Sequence, residues 1–213
     1  MSISTYNELK TAVANWLHED TLTSIIPDFI AIGEATLNRK LRLLQMEEYA
    51  TVNTSITTRF GTLPARFLEL IDLALYSDGY PQTLTQTTLA KINERSNTVQ
   101  ALPRFYAVSS SIVFDVISDT VYPCQLRYYK KLDIASDSTN FLLTAYPDLY
   151  LYSALVASAP YINDDARINT WASMLDNAIT LTNKADARSR SKTMLVTDAI
   201  LNNRSNSDIF TGV

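Results

Sequence analysis

Residues that carry enzyme chemistry are scarce in this chain of 213 residues. Its only cysteine, Cys124, excludes an internal disulfide and a metal site made of several cysteines. Its only histidine is His18, so a histidine-based catalytic triad would have to use that residue. Neither G-x-x-x-x-G-K-S/T nor G-x-G-x-x-G occurs among its four glycines, which excludes the common glycine-rich phosphate loops. We therefore expect no catalytic residue, no metal site and no cofactor.

The two scarce residues stand in patterns that favour structural roles. His18 follows the first helical pattern, where a solvated histidine interacts favourably with the carboxyl end of the helix dipole. Cys124 shares a strand face with Leu126, which predicts a buried small hydrophobe. A nucleophilic cysteine would need a nearby base and an electropositive setting, and the sequence indicates neither.

Long apolar runs and an excess of positive charge are also missing. Because there is no run of eighteen apolar residues and no basic stretch followed by an apolar one at the N-terminus, we expect neither a membrane span nor a signal peptide. The formal net charge is −4 at pH 7, whereas general nucleic-acid binding usually needs a basic face.

Two charged clusters have alternative interpretations. Asp148, Asp164 and Asp165 suit a divalent metal, but each stands where a helix is predicted to begin, and the helix dipole explains their positions without a ligand. Residues 127–131 combine basic and tyrosine side chains that suit contact with nucleic acid. They also suit a solvated edge strand whose lysines discourage further pairing. We favour the structural interpretation of both clusters.

Helical periodicity opens the chain. The spacing of Thr5 and Glu8 is that of a capping box, and apolar residues follow it at helical spacing as far as Leu17. After a polar break, apolar residues recur every three or four positions from Ile26 to Leu44. Gly33 lies on this second apolar face, which predicts the close approach of another helix. Together the two segments predict a helical hairpin.

The period changes to that of strands from about Tyr49. Strands are predicted around residues 52–56, at 68–76 and, after the turn residues Asp78 and Gly79, at 82–85. A helical turn is predicted over residues 88–94. A meander of three strands is then predicted over residues 104–108, 112–117 and 121–131.

Helical periodicity returns near the C-terminus. Pro147 and Asp148 mark a helix start, and Asn163 is placed to cap a second helix. The predicted apolar face of the first helix comprises Leu149, Tyr152, Leu155, Val156 and Ala159. That of the second comprises Ile168, Trp171, Leu175, Ala178 and Leu181.

These segments predict an α+β fold. The N-terminal and C-terminal helical hairpins would form one antiparallel bundle, discontinuous in sequence, from residues 1–48 and 139–190. An antiparallel β module, residues 49–138, would be inserted into it. Residues 191–213 would form an extended C-terminal arm.

The predicted arm is rich in serine, threonine and asparagine and cannot build its own core. It is either a frayed terminus or an arm that orders on a partner through islands of apolar residues. These islands are Met194, Leu195, Val196, Ile200, Leu201, Ile209 and Phe210.

Three tyrosines stand around the start of the penultimate helix. Tyr150 and Tyr152 lie on different sides of a helix, so they and Tyr146 cannot all face one core. Tyrosine is favoured at interfaces because it combines a large contact area with a polar tip. We therefore take Tyr146, Tyr150 and Tyr152 as candidates for contact with another subunit.

Several segments together resemble the head-to-tail adaptor proteins of tailed bacteriophages, from Thr5 to about Arg190. The segments that carry the resemblance are residues 5–9 (TYNEL), 26–30 (IPDFI) with Glu34, 38–42 (NRKLR), 63–64 (LP) with 67–70 (FLEL), 128–130 (YYK), 140–143 (NFLL), 146–155 (YPDLYLYSAL), and 164–167 (DDAR) with Trp171.

The resemblance implies a structural virion protein that is not an enzyme and binds no cofactor. Similar proteins form a closed ring, usually of twelve copies, which docks beneath the portal and connects the capsid to the tail. By this resemblance, the C-terminal arm would bind the portal protein through its apolar islands, and nozzle or tail-tube proteins would bind below. DNA would pass through the channel without sequence-specific binding. The implied location is the head-to-tail interface of the virion, after assembly in the host cytoplasm.

Two alternative functions stay open at this point. One is another tail-completion or tail-terminating protein, similar in role but bound to a different partner. The other is a metal-dependent phage hydrolase or nuclease, which would require clustered carboxylates around an open metal site.

Overall fold

The structure, a computed structural model, describes residues 3–18, 22–77, 79–95, 100–162 and 165–204, without the side chains of residues 95, 165–166 and 192–204. The helices are α1 (Tyr6–Leu17), α2 (Ile26–Lys40), α3 (Leu89–Arg95), α4 (Ile134–Asp137), α5 (Phe141–Ala145), α6 (Pro147–Ile162) and α7 (Asp165–Arg204). The strands are β1 (Glu47–Asn53), β2 (Phe60–Gly61), β3 (Phe67–Ser77), β4 (Tyr80–Thr83), β5 (Thr85–Gln86), β6 (Phe105–Val108), β7 (Ile112–Phe114) and β8 (Pro123–Lys130).

The chain divides into two compact units. The helical unit comprises Met1–Gln45 and Leu132–Val213, with α1, α2 and α4 to α7. The β unit comprises Met46–Lys131, with α3 and the strands β1 to β8. The combination of helices with antiparallel sheet confirms the predicted α+β class.

The N-terminal capping box is confirmed. The Glu8 amide donates to Thr5 Oγ1 at 3.3 Å, and the Thr5 amide donates to Glu8 Oε2 at 3.0 Å. Two amides that lack partners in the first turn of α1 are thereby satisfied. His18 ends the helix in the left-handed conformation, with φ of 56°.

Gly33 brings α2 and α6 into close approach, as its position on the apolar face predicted. A Cβ atom added at Gly33 would lie 2.7 Å from Ser153 Oγ and 2.9 Å from the Ala154 nitrogen. Both atoms belong to α6, and the nitrogen cannot move without moving the helix. Only glycine therefore fits at this crossing.

The central helix of the helical unit is α6, which packs against α1, α2, α5 and α7. We predicted a single apolar face that included Tyr152 and Val156, but these two side chains are only half-buried. The buried residues instead lie on every side of the helix because its neighbours surround it, and a surrounded helix loses the 3.6-residue pattern. They are Leu149, Tyr150, Leu151, Ser153, Ala154, Leu155, Ser158 and Ala159.

The prediction that Leu181 belongs to the buried apolar face of α7 is wrong. Leu181 is 58% exposed, whereas Ile179 and Thr182 are buried. A buried line that starts at Trp171 and advances by one helical turn at a time reaches Thr182, because 3.6 residues make a turn. The Thr182 hydroxyl donates to the Ala178 carbonyl at 2.9 Å, which satisfies it inside the helix.

Helix α7 continues to Arg204, beyond residue 190, where we predicted that the extended arm would begin. The backbone of residues 191–204 is therefore helical, which corrects the predicted extended conformation of this part of the arm. Residues 191–204 contain neither proline nor glycine, so no residue there interrupts a helix. Residues 205–213 lie outside the described part of the chain.

The described strands of the β unit form two four-stranded sheets. The first has the order β1-β8-β3-β4 with antiparallel pairing throughout. The second has the order β2-β7-β6-β5, in which β5 and β6 run parallel over a short stretch. The buried faces of both sheets contribute to one core, whose members include Leu73, Leu126, Ile112 and Phe114.

The predicted three-strand meander is wrong because β8 does not pair with β7. The hairpin of β6 and β7 lies in the second sheet, whereas β8 lies between β1 and β3 in the first. The long connection between β7 and β8 does not require neighbouring strands to pair. The predicted hairpin of β3 and β4 is confirmed, with Ser77 opposite Tyr80 and Gly79 at φ of 82°.

Candidate interaction sites

Neither scarce residue has the environment of a catalytic group. Cys124 is fully buried in β8, and burial raises the pKa of its thiol to about 12. A thiol with this pKa stays protonated near neutral pH and is a poor nucleophile. His18 is exposed at the C-terminal cap of α1, where its amide donates to the Ala14 carbonyl. Both residues thus have the structural roles that the sequence favoured.

Of the three aspartates considered as metal ligands, only the side chain of Asp148 lies in the described part of the chain. Asp148 lies in the first turn of α6, while Asp164 and the side chain of Asp165 lie outside the described residues. Across the part of the chain that is described, no group of three or more His, Cys, Asp or Glu residues could hold a metal ion. None of the described helices is both long and apolar enough to cross a membrane.

The basic residues of β8 are engaged by carboxylates. Arg127 forms an ion pair with Asp72 at 2.8 Å, and Lys130 forms one with Glu48 at 3.1 Å. The strand is central in its sheet, so its interpretation as a solvated edge strand is wrong. Its neighbours β1 and β3 supply the acidic partners, and paired cations contribute less to phosphate binding than free ones.

Tyr150 lies in the core of the helical unit and offers no surface to another subunit, which corrects its prediction as an interface residue. Its hydroxyl donates to Glu34 Oε1 at 2.7 Å and accepts from Asn140 Nδ2 at 2.7 Å. Burial raises the pKa of Tyr150, and the nearby Glu34 carboxylate raises it further. The phenol therefore stays protonated as the donor to Glu34.

Tyr146 and Tyr152 are half-buried, and their role as subunit contacts stays a prediction. The Tyr152 ring makes an edge contact with Trp16 of α1, with 6.1 Å between ring centroids. Tyr146 lines a small cavity beside α7. Both tyrosines thus have part of their surface inside the helical unit and part outside it.

Sequence reasoning missed an exposed apolar pair on α7, which we call the Met174–Leu181 ridge. Met174 is 42% and Leu181 58% exposed. Because the two residues are seven positions apart, they lie on the same side of the helix. We assigned Leu181 to the buried face of α7. With 3.6 residues per turn, Leu181 does not lie on the same side of the helix as Trp171, and this spacing in the sequence was the signal that could have identified it as exposed.

The apolar islands of the predicted arm cannot be assigned contacts. The side chains of Met194, Leu195, Val196, Ile200 and Leu201 lie outside the described part, as do residues Ile209 and Phe210 altogether. The backbone that carries residues 194–201 belongs to α7.

One family model, described as SU10 adaptor protein, matches residues 4–197, which is nearly the whole chain. This match includes both compact units and α7 as far as residue 197. No curated protein matches the sequence.

Proposed function

Because this chain belongs to the SU10 adaptor protein family, a family of phage head-to-tail adaptors, we propose that it is a structural virion protein connecting the capsid to the tail. The observation that carries the proposal is the extent of the family match, residues 4–197. A match of this length includes the helical unit and the β unit together. The relationship therefore rests on the sequence of both units and not on one short motif.

In this proposal the protein acts as a closed ring of twelve copies that docks beneath the portal. A closed ring requires a heterologous interface, in which one surface of a subunit binds a different surface of the next. The Met174–Leu181 ridge supports this role because exposed apolar side chains on one side of a helix suit packing against a neighbour. Tyr146 and Tyr152 are further candidates for the same ring contacts.

We assign binding of the portal protein to the arm, residues 191–213. In support, the helical backbone of residues 191–204 continues directly from the helical unit. The islands Met194–Val196 and Ile200–Leu201 are thereby carried on a preformed helix. A preformed helix loses less conformational entropy on binding than a disordered segment does.

The remaining parts of the proposal concern the tail, DNA and catalysis. Nozzle or tail-tube proteins would bind the ring on its tail side, and DNA would pass through without sequence-specific contacts. The net charge of −4 and the paired state of Arg127 and Lys130 support weak contact with DNA. The protein would catalyse no reaction and would reside at the head-to-tail interface after assembly in the host cytoplasm.

Light scattering tests the proposed ring. We expect the purified protein, mixed with the portal of its phage, to give the mass of a portal plus a ring of twelve copies. An unrelated ring protein in place of the portal serves as the control and should give no shift. A protein that keeps its own mass in the presence of portal would contradict the proposal.

Truncation tests the arm. A variant that lacks residues 194–213 should keep the helical circular dichroism of its remaining residues and bind the portal more weakly. If the truncated protein unfolds instead, the arm belongs to the core of the helical unit. If it folds and binds portal as tightly as the full chain, portal binding lies elsewhere.

The substitution Leu181→Glu tests the ridge as a ring contact. It places a charge at an exposed apolar position, so we expect the fold to persist and the ring to fail to form on the portal. Asn183→Glu adds the same charge to an exposed position of the same helix and should leave ring formation unchanged. Equal behaviour of the two variants would exclude the ridge from the interface.

A further inference from the structure

Two short segments of the helical unit precede and follow the β unit in the chain. The returning segment, Leu132–Ile134, is fixed to α2 by buried side chains. Asn38 holds both the amide and the carbonyl of Leu132, at 2.9 and 3.1 Å. One turn earlier, Glu34 Oε1 accepts the Ile134 amide at 2.8 Å. Because Glu34 and Asn38 are buried, opening this attachment would leave polar groups without partners in an apolar environment.

The outgoing segment, residues 41–45, is held by a different helix, α7. Asp186 Oδ1 accepts the Leu44 amide at 2.7 Å, and Arg190 Nη2 donates to the Arg42 carbonyl at 3.2 Å. The two side chains are also joined to each other, with 2.6 Å between Arg190 Nε and Asp186 Oδ2. We call this arrangement of Asp186 and Arg190 the α7 latch.

The α7 latch is more accessible to water than the attachment of the returning segment. The Asp186 side chain is 14% exposed and that of Arg190 is 34% exposed. A cavity of about 140 Å³ lies beside the latch, between residues 43–45 and α7. Leu41 and Leu43 are buried, whereas Leu44 is 43% exposed, so close packing does not fix the segment at Leu44. Water can replace the partners of the latch when it opens.

We propose that the α7 latch couples the order of residues 41–45 to the order of the C-terminal end of α7. Arg190 directly precedes the arm, whose residues 191–204 form the C-terminal end of α7, and helix ends open more readily than helix interiors. Unwinding of α7 from its C-terminal end as far as Arg190 would break the contact of Arg190 with the Arg42 carbonyl and leave Asp186, which holds the Leu44 amide, without its ion pair. Conversely, any partner that holds residues 191–204 in their helical conformation would keep the latch closed.

This inference rests on the proposed function for its biological consequence. If the arm binds the portal, docking orders residues 41–45 at a distance from the contact itself. Thermodynamic linkage requires the reverse effect as well, so a broken latch must weaken docking. The latch thus gives the adaptor a segment whose order depends on whether the arm is bound.

Hydrogen exchange of the free full-length protein tests the latch itself. In Asp186→Ala we expect the Leu44 amide to exchange roughly tenfold faster than in the wild type, because it loses a hydrogen bond to a charged acceptor. Asp176→Ala is the matched control: Asp176 lies on the same helix, is 68% exposed and pairs with Lys40, so exchange over residues 41–45 should not change. Equal exchange in the wild type and Asp186→Ala would overturn the proposal.

A second variant guards against misfolding of Asp186→Ala. Asp186→Asn keeps an oxygen for the Leu44 amide but removes the charge that pairs with Arg190. We expect Leu44 to exchange at a rate between those of the wild type and Asp186→Ala, with unchanged circular dichroism. Exchange as slow as in the wild type would show that the ion pair with Arg190 has no part in the latch.

Addition of the portal separates this inference from the proposed function. Docking should slow exchange over residues 41–45 in the wild type, and Asp186→Ala should dock several-fold more weakly than Asp176→Ala. Docking with no change over residues 41–45 would overturn the coupling and leave the adaptor proposal intact. Absence of docking would contradict the proposed function, while the free-protein comparison would still decide whether the latch exists.

Discussion

At the scale of single residues, the helical unit is defined by polar side chains placed among apolar ones. Glu34 and Asn38 lie on the same side of α2 as Ile30, Leu37 and Leu41. Their positions on the apolar face signal a buried polar cluster, because unpartnered polar groups are costly to bury. The sequence contains this signal, but it identifies neither the partner, Tyr150, nor the backbone segment Leu132–Ile134 that Glu34 and Asn38 hold.

Tyr150→Phe removes the hydroxyl that donates to Glu34 and accepts from Asn140. We expect the free energy of unfolding to fall by about 1–3 kcal/mol, because the buried Glu34 and the half-buried Asn140 each lose a hydrogen bond. Urea unfolding followed by circular dichroism measures the change. Tyr152→Phe is the control, since Tyr152 is half-buried on the same helix, and it should cost less than about 0.5 kcal/mol. Equal costs would contradict the role of the cluster.

Cys124 provides a residue-scale probe of the β unit. Because burial raises the pKa of its thiol to about 12, we expect no reaction with a disulfide reagent at pH 8 while the unit is folded. In denaturant, one thiol per chain should react at once. Rapid reaction of the folded protein would show that β8 opens readily or that the thiol is not buried.

At the scale of elements, the number of elements packed around a helix or strand determines how clearly its sequence shows a periodic apolar face. Helix α1 borders solvent and keeps a clear periodicity, whereas α6 has neighbours on all sides and does not. The same reasoning applies to β8, which lies between β1 and β3. Alternation correctly placed Cys124 and Leu126 on one buried face, but it gives no information about which strands pair with β8.

At the crossing of α2 and α6, the direction of the stability change caused by Gly33→Ala tests the close approach of the two helices. Gly33→Ala at a free helix position would stabilise the protein by about 1 kcal/mol, because alanine is the better helix former. Here we expect destabilisation by about 1–3 kcal/mol, since the added Cβ would overlap Ser153 and the backbone of α6. Urea unfolding measures it. Ala31→Ser adds one atom at an exposed position of α2 and should change stability by less than about 0.5 kcal/mol.

At the scale of the whole molecule, each of the two units has its own buried core and its own buried tyrosines. Burial raises the pKa of Tyr106 and of Tyr128 to about 12 in the β unit, and nearby carboxylates add to both shifts. In the helical unit, burial raises the pKa of Tyr150, and the Glu34 carboxylate raises it further. A phenol whose pKa is higher in the folded state stabilises the fold only while it is protonated.

Alkaline titration should therefore unfold the protein in a defined range. The stabilisation from Tyr106 and Tyr128 is fully present below pH 10, their unfolded pKa, and is lost as the pH rises through about 12. The raised pKa of Tyr150 acts in the same direction. We expect Tyr106, Tyr128 and Tyr150 to ionise only as circular dichroism is lost. Absorbance at 295 nm measures the ionisation. Ionisation of Tyr106, Tyr128 and Tyr150 while circular dichroism still shows an intact fold would contradict their burial.

The sequence by itself determined the local features of this protein, because their causes lie within a few residues. The capping box of Thr5 and Glu8, the turn at Gly79 and the α+β class are of this kind. The tertiary structure alone decided the place of β8, the burial around α6 and the partners of Glu34, Asp186 and Arg190. These features join residues far apart in the chain, and their geometry depends on how whole elements pack, which no local pattern encodes.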